Sequence, residues 1–366
     1  MKIMFVIHSL NIVGGSETIL TRFSNFFASM GHNISICILT HESISFELND
    51  NINLYRYDNT NSNSNSNSNS MLPRVFNLMY QQIKYISSSI NVEKPDVVIS
   101  FVSGTNILST LAAKISNKPI ILAERSSYDL SLKNKFWKLL RRLVYPLATK
   151  SIVLTEEDRP KYSYVKEVFV VPNPLTLKQN YTNIEREKTI LSVGRLHHVK
   201  GFDMLIKAFS KLDTNGWKLV IAGEGEERES LEALINKLDI SDKVILPGLI
   251  KDIELYYKKS SIYVLSSRSE GYPGALCEAM GYGCSCIAFD CVTGPKEIIT
   301  DNIDGLLVEA NNIDNLSISI QQLIDDKYQR ELLGNKAKEI VQRLNMEAIA
   351  QKWEDIMKKA IKDYKE

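Results

Sequence analysis

The chain has 366 residues, 44% hydrophobic and 24% charged, a soluble globular composition too long for one ordinary core, and the length predicts two domains of roughly 150 to 200 residues. A net charge of +1 removes any general case for nucleic acid as a partner, and no run approaches the roughly 20 apolar residues of a membrane span. The five cysteines are odd in number, four of them within fifteen residues, and no CxxC pair or nearby histidine completes a zinc pattern, which argues against a disulfide framework or a zinc site and predicts reduced, mostly buried thiols.

The opening MKIMFVIHSL has too short an apolar run for a signal peptide; His8 interrupts it, and Gly14-Gly15 follow where a cleavage site would stand. The reading is a cytoplasmic protein. KIMFVIHSL reads as a strand, NIVGGSE as a glycine turn, and TILTRFSNFFASMG as a helix closed by Gly31, with NISICILT as the next strand. The alternation continues through DVVISFV, NILSTLAAKIS, PIILAE, SIVLT and EVFVVPN, the pattern of a doubly wound parallel sheet. Within this half, NTNSNSNSNSNS at residues 59–70 is a polar repeat with nothing to bury, read as a surface loop.

After Pro172-Asn173-Pro174, a plausible hinge, the alternation restarts with TILSVGRL, GFDMLIKAFSKL, WKLVIAG, ERESLEALINKL, KVILPGL, IELYYKKS, SIYVLSS, GALCEAMGYG and CSCIAFD. The expected organisation is α/β: an N-terminal Rossmann-like domain over 1–172, a second over 173–345 facing it across a cleft, and a C-terminal helix over 346–366, for which packing back on the first domain is one arrangement. From Asn311 onward the pattern predicts three helices.

Open parallel sheets bind ligands beyond the carboxyl ends of their strands, where loops enter helix N-termini. Three loops stand at such places. In NIVGGSE, Gly14 and Gly15 let backbone approach a phosphate, although a purely structural turn is the other reading and GxGxxG is absent. In SVGRLHHVKG, Arg195 and Lys200 are two cations able to neutralise a diphosphate, with solvated surface cations as the alternative; His197 and His198 are bystanders. In SEGYPGALCEAM, Gly271-Tyr272-Pro273-Gly274 turns the chain into a helix. Glu270 then stands in the loop and Glu278 in the first turns, while the amides of Gly274, Ala275 and Leu276 point at an anion. Taken singly, Glu278 also suits a first-turn carboxylate and Glu270 a cap.

Together these loops resemble the retaining glycosyltransferases of family 4, which have the GT-B architecture. VPNPL, SVGRLHHVKG, IAGEGEERESLEAL, VILPGL, SEGYPGALCEAM and DGLLV stand in the same order over nearly the whole chain. Among members the chain is most similar to bacterial enzymes extending undecaprenyl-pyrophosphate-linked glycans, N-acetylgalactosaminyl transferases included. The resemblance implies a UDP-sugar donor, no further cofactor and no metal, in keeping with the absence of an Asp-x-Asp. It assigns the donor diphosphate to Arg195 and Lys200, the distal phosphate to the amides after Glu270, the ribose to Glu278 and the transferred sugar to Glu270. Leu249, within Gly248-Leu249-Ile250, would lie against the base, and Gly14-Gly15 would close over the phosphates. Many relatives carry a histidine where LAERSSYD has Arg125, which leaves Glu124, Arg125 and Ser126 as acceptor-side or sugar-side candidates; His8 is a further acceptor-side candidate, with a structural histidine as the other reading.

Residues 1–172 hold 18 Lys and Arg against 13 Asp and Glu, a charge of +5, leaving 26 against 30, or −4, for the remainder. The run SLKNKFWKLLRRLVYPLATK at 131–150, six basic residues and no acid, reads as a basic amphipathic helix suited to an anionic membrane surface, with Lys135, Trp137, Lys138, Arg141 and Arg142 as its contacts. An ordinary helix with its apolar side on its own core is the alternative. The expectation is therefore a peripheral enzyme on the cytoplasmic face of the inner membrane, moving an N-acetylhexosamine to a polyprenyl-pyrophosphate-linked glycan for O-antigen or capsule. A nucleotide-sugar epimerase and a non-catalytic membrane scaffold are the rivals.

Overall fold

A computed structural model describes residues 1–11, 14–58, 71–132, 134–177 and 184–366, with the side chains of 71–74 and 130 left aside. The Asn-Ser repeat, two residues of the glycine turn, Lys133 and part of the polar stretch after the Pro-Asn-Pro segment lie outside the described residues. The chain forms two compact units, residues Met1–Asn173 with Glu347–Glu366, and Pro174–Met346.

Among the described residues the first unit is built on seven parallel strands: β1 (Lys2–Ile7), β2 (Asn33–Ile38), β3 (Asn53–Arg56), β4 (Val97–Phe101), β5 (Ile120–Ala123), β6 (Lys150–Val153) and β7 (Val168–Val170). Their order across the sheet is β3-β2-β1-β4-β5-β6-β7. β1 is buried from Ile3 to Ile7 because helices cover both faces, which is why it reads as a continuous apolar run. The helix Gly15–Ser29 presents Ile19, Leu20, Phe23 and Phe27 to the core, and Gly31, at φ +85°, ends it.

Among the elements of this unit that escape the sequence pattern are an edge strand and a long helix. β3 is an edge strand, exposed but for half-buried Tyr55, and the helix Met71–Glu93 follows directly on the repeat. The basic run also differs from expectation. Its main helix is Lys135–Val144; Asn134 caps it by accepting from the Phe136 amide at 2.8 Å, and Pro146 in the following 3-10 turn stops it. Lys150 belongs to β6 and is buried.

The second unit carries six parallel strands: β8 (Glu187–Val193), β9 (Lys218–Ala222), β10 (Val244–Gly248), β11 (Ser260–Leu265), β12 (Ser285–Asp290) and β13 (Leu306–Glu309). Their order is β10-β9-β8-β11-β12-β13. Alternate residues feed two cores: Ile190, Leu219, Ile221, Ile262 and Val264 pack beneath the helix Phe202–Phe209, while Leu191, Val220, Tyr263 and Leu265 pack with the helix Gly274–Gly281. All five cysteines are free and buried. The tail forms Ile313–Asp325, Lys327–Ala337, a single turn at Ile340–Arg343 and Met346–Lys365, one helical piece more than predicted.

The last helix docks on the first unit. Trp353, fully buried, lies 5.0 Å from the Phe23 ring and 6.2 Å from that of Phe101, centroid to centroid. Glu354 meets His32 at 2.8 Å, and buried Lys150 is paired with both Glu167 and Asp363.

Candidate active site

In the second unit the strand order reverses between β8 and β11, and in open parallel sheets such a reversal opens a ligand crevice beyond the carboxyl ends. The loops after these two strands are fastened to one another. Gly201 ends the first at φ +65°, and a Cβ there would stand 2.1 Å from the Ser266 carbonyl oxygen, so only glycine lets the two loops lie together. Ser266 Oγ donates to the Lys200 carbonyl at 3.0 Å, and the Arg268 amide donates to the Val199 carbonyl at 2.8 Å. The Arg268 guanidinium donates to the His198 carbonyl at 2.6 Å and grips both Asp203 carboxylate oxygens at 2.9 Å. Burial would raise the Asp203 carboxyl, but the Arg268 guanidinium outweighs it and holds the group below the usual carboxylate range.

The consequence is a charged pair. Lys200 Nζ donates to Glu270 Oε1 at 2.7 Å, Ser267 Oγ donates to the same oxygen at 2.6 Å, and the Thr293 hydroxyl donates to the Glu270 backbone carbonyl. Glu270 is buried and Lys200 partly exposed. Arg195 is exposed and makes no ion pair among the described residues. Beside them Pro273 precedes the helix Gly274–Gly281, which has no side-chain cap. The amides of Leu276 and Cys277 both donate to the Pro273 carbonyl, at 3.1 and 3.2 Å. Leu276 is thus not available to an anion as expected from sequence; Gly274 and Ala275 head the free turn.

Glu278 is half-buried on that helix, beside Tyr257 and Tyr263. Burial first, and then the Glu278 carboxylate, hold the Tyr257 hydroxyl well above the usual phenol range. Gly271 and Tyr272 are half-buried in the loop, and Leu249 is 81% exposed in the turn after β10. His197 Nδ1 accepts from the Val199 amide at 3.1 Å, a local loop contact. Sequence reasoning missed Ser267, Arg268, Asp203 and Thr293. The first two stand beside Glu270 in SSRSEG, but nothing in the chain marks Asp203 or Thr293 as their partners.

In the first unit His8 is exposed at the carboxyl end of β1, and Gly14 precedes the uncapped N-terminus of the helix starting at Gly15. Ser126 is exposed beyond β5. Two acceptor-side expectations need correction. Glu124 is 2% exposed, accepting from Ser103 Oγ at 2.7 Å, from Asn106 Nδ2 at 2.8 Å and from the Tyr145 hydroxyl, so it holds the interior of its unit together. The Arg125 guanidinium lies 5.2 Å from the Phe101 ring centroid and 5.1 Å from that of Trp353, and donates to Asn173 Oδ1 at 2.8 Å. Burial lowers its pKa to about 9.

The membrane-side expectations divide as well. Arg141 is 1% exposed, stacked 3.6 Å from the Tyr128 ring centroid, and Trp137 packs against the core, so neither faces outward. Lys135, Lys138 and Arg142 are exposed together with Leu139 and Leu143, at 57% and 63%. No described helix is long and apolar enough to cross a membrane. Among the described residues, no group of three or more His, Cys, Asp or Glu could hold a metal ion.

The family described as glycosyl transferases group 1 matches residues 176–340. Over 361 residues, 96% of this chain and 97% of the relative, the chain is 32% identical to a Campylobacter jejuni enzyme. That relative is the GalNAc-alpha-(1->4)-GalNAc-alpha-(1->3)-diNAcBac-PP-undecaprenol alpha-1,4-N-acetyl-D-galactosaminyltransferase. The chain belongs to the group 1 glycosyltransferases. This transferase is also 26% identical to the amylovoran biosynthesis glycosyltransferase AmsD of Erwinia amylovora, over 97% of the chain and 99% of the relative. Among solved structures, Staphylococcus aureus TarM in a complex containing UDP superposes with a TM-score of 0.78 at 16% identity, covering 98% of this chain and all of the other. Anabaena HepE in complex with UDP gives 0.78 at 14% identity, with the same coverage. The likeness shows the GT-B fold.

Proposed function

We propose that this glycosyltransferase moves an N-acetylhexosamine from a UDP-sugar to a polyprenyl-diphosphate-linked glycan, with retention of anomeric configuration and without a metal ion. The observation that carries the reading is the Lys200–Glu270 pair at the strand reversal, 2.7 Å apart, beside the uncapped helix at Gly274. Breaking the anomeric bond puts new negative charge on the nucleotide diphosphate. Arg195, Lys200 and the amides of Gly274 and Ala275 are fixed positive groups that stabilise that charge as it develops. Without donor, Lys200 is neutralised by Glu270. A diphosphate gives Lys200 a second anionic partner and leaves Glu270, still held by Ser267, to accept hydrogen bonds from sugar hydroxyls. Glu278 serves the ribose in the same way.

The undecaprenol-linked substrate of the Campylobacter jejuni relative supports an undecaprenol-linked acceptor, and the UDP complexes of structural neighbours support the donor. A peripheral position on the cytoplasmic side of the membrane follows from the acceptor and from the outward face of Lys135, Lys138, Leu139, Arg142 and Leu143. Cations near an anionic surface contribute about 1 kcal/mol each, and leucines enter the headgroup boundary.

The test is transfer from UDP-N-acetylhexosamines to a polyprenyl-diphosphate-linked glycan. Glu270→Ala should reduce turnover about a hundredfold or more with an unchanged melting temperature. Full activity in that variant would refute the assigned role, and epimerised nucleotide sugar formed without acceptor would refute transfer itself.

A further inference from the structure

Glu270 is held by its backbone as well as by its carboxylate. Lys200 and Ser267 take the carboxylate, while the fully buried Thr293 donates its hydroxyl to the Glu270 carbonyl oxygen. Among the described residues no backbone amide donates to that oxygen. A buried carbonyl left without a donor is costly, so the Thr293 hydroxyl weighs on the conformation of the loop.

The segment that carries Thr293 is itself fixed. β12 lies between β11 and β13 in the sheet, and Cys291, which follows it, is buried and donates its thiol to the Thr293 carbonyl at 3.8 Å. The Glu297 amide donates to the Gly294 carbonyl at 3.0 Å where the chain enters the short helix Pro295–Ile298. Threonine is β-branched and has few rotamers, which keeps its hydroxyl in place. Gly294 adds a second contact. At φ +97° it holds a conformation that L side chains rarely adopt, and a Cβ there would stand 2.8 Å from Cδ of the Pro273 ring and 3.0 Å from the Gly271 carbonyl oxygen. Thr293 and Gly294 therefore meet the loop at Glu270, Gly271 and Pro273, a stretch with no helix or strand of its own to fix it.

We propose that Thr293 is a positioning residue of the transferase, setting through the Glu270 backbone where the Glu270 carboxylate stands. The inference rests on the reading of Glu270 as the group that accepts hydrogen bonds from the transferred sugar. Thr293 acts through Glu270 rather than on the donor itself, and a misplacement of about 1 Å at such a group can cost about a hundredfold in rate. The ribose and the base are assigned to Glu278 and Leu249, on other elements, so UDP alone should not sense the change.

Thr293→Val, which keeps the shape and removes the donor, is compared with Thr293→Ser, which keeps the donor, in the full chain. Hydrogen exchange read by mass spectrometry should quicken over residues 268–274 in Thr293→Val and stay unchanged elsewhere, with Thr293→Ser close to the natural chain. In transfer from a UDP-N-acetylhexosamine to a polyprenyl-diphosphate-linked glycan, Thr293→Val should lower kcat/KM about tenfold to a hundredfold and Thr293→Ser should restore most of it. The affinity for UDP, measured by calorimetry, should be the same in all three. If Thr293→Val does not fold, Thr293→Ala against Thr293→Ser isolates the same hydroxyl, since both lack the methyl group. Faster exchange spread over the whole second unit, or UDP affinity falling in step with kcat/KM, makes Thr293 a packing residue and overturns the proposal. So does an unchanged kcat/KM in Thr293→Val while Glu270→Ala is impaired. Full activity in Glu270→Ala overturns the reading of Glu270 itself, and the positioning role falls with it. Absence of transfer by the natural chain overturns the proposed function instead, and the exchange result then decides whether Thr293 holds the loop.

Discussion

Gly201 decides the geometry of the loop that carries Lys200 through the side chain it lacks. Its φ of +65° costs an L-residue about 1–2 kcal/mol, and a Cβ there would stand 2.1 Å from the backbone oxygen of Ser266, a clash that no side-chain movement relieves. Gly201→Ala should therefore lower the melting temperature and, by lifting the Lys200 loop off the Arg268 segment, raise the donor KM more than it lowers kcat. Steady-state kinetics with thermal denaturation check both, and an unchanged KM would show that the fastening does not position Lys200. Much of this site was legible in the residues. Glu270, Lys200, Arg195 and the Gly-Tyr-Pro-Gly turn were marked by chemistry and order. The Asp203–Arg268 clamp and Thr293 were not, because a hydrogen bond between residues 65 positions apart leaves no local trace. The same holds for Glu124 and Arg125, whose polar chemistry suggests an exposed role until their burial is known.

At the scale of single elements, the C-terminal helix carries the firmest expectations. Trp353→Ala should cost about 3–5 kcal/mol, since it empties a buried aromatic site against Phe23 and Phe101. Denaturant unfolding of the variant measures it. The polar contacts of the helix add a pH dependence. The hydrogen bond from Lys150 first, and that from Lys359 for Glu167, hold the Glu167 and Asp363 carboxyls below their ordinary values, and Lys358 and His32 do the same for Glu354. A carboxyl lowered on folding stabilises above its unfolded pKa of about 4, and that contribution is lost as pH falls through the folded value. Burial opposes the Lys150 ammonium, but Asp363 and Glu167 raise it overall, so its share is present below about pH 10 and lost as pH rises beyond its folded value. The stability difference between the natural chain and Lys150→Met should accordingly be largest between about pH 5 and 9 and shrink below about pH 4. Melting curves across that range test it; a constant difference would mean that the ion network contributes nothing. The helix itself was legible as an amphipathic repeat. Its partner was not, because the repeat names a buried face without naming what covers it.

For the whole molecule, the expectations concern the membrane and the metal. Charge reversal at Lys138 and Arg142, both exposed, should release the protein from anionic vesicles in sedimentation, whereas a variant at Arg141 would test interior packing instead. Unchanged sedimentation would remove the membrane from the reading. Transfer should persist in excess chelator, because fixed cations and helix amides carry the diphosphate in the proposed mechanism; a strict need for added divalent metal would refute it.

Order along the chain was enough to establish two doubly wound sheets and the loops at their carboxyl edges that carry the candidate site residues. Alternating buried strands and amphipathic helices are local patterns, and a parallel sheet with right-handed crossovers admits few arrangements of them. Tertiary structure alone decided which charges remain available. It placed Lys200 on Glu270, withdrew Glu124, Arg141 and Lys150 into the interior, laid the Arg125 guanidinium against Phe101 and Trp353, and returned the last helix to the first unit. Burial and pairing depend on residues far apart in sequence, and a charged side chain looks the same in a sequence whether it meets water, an aromatic ring or a counter-ion.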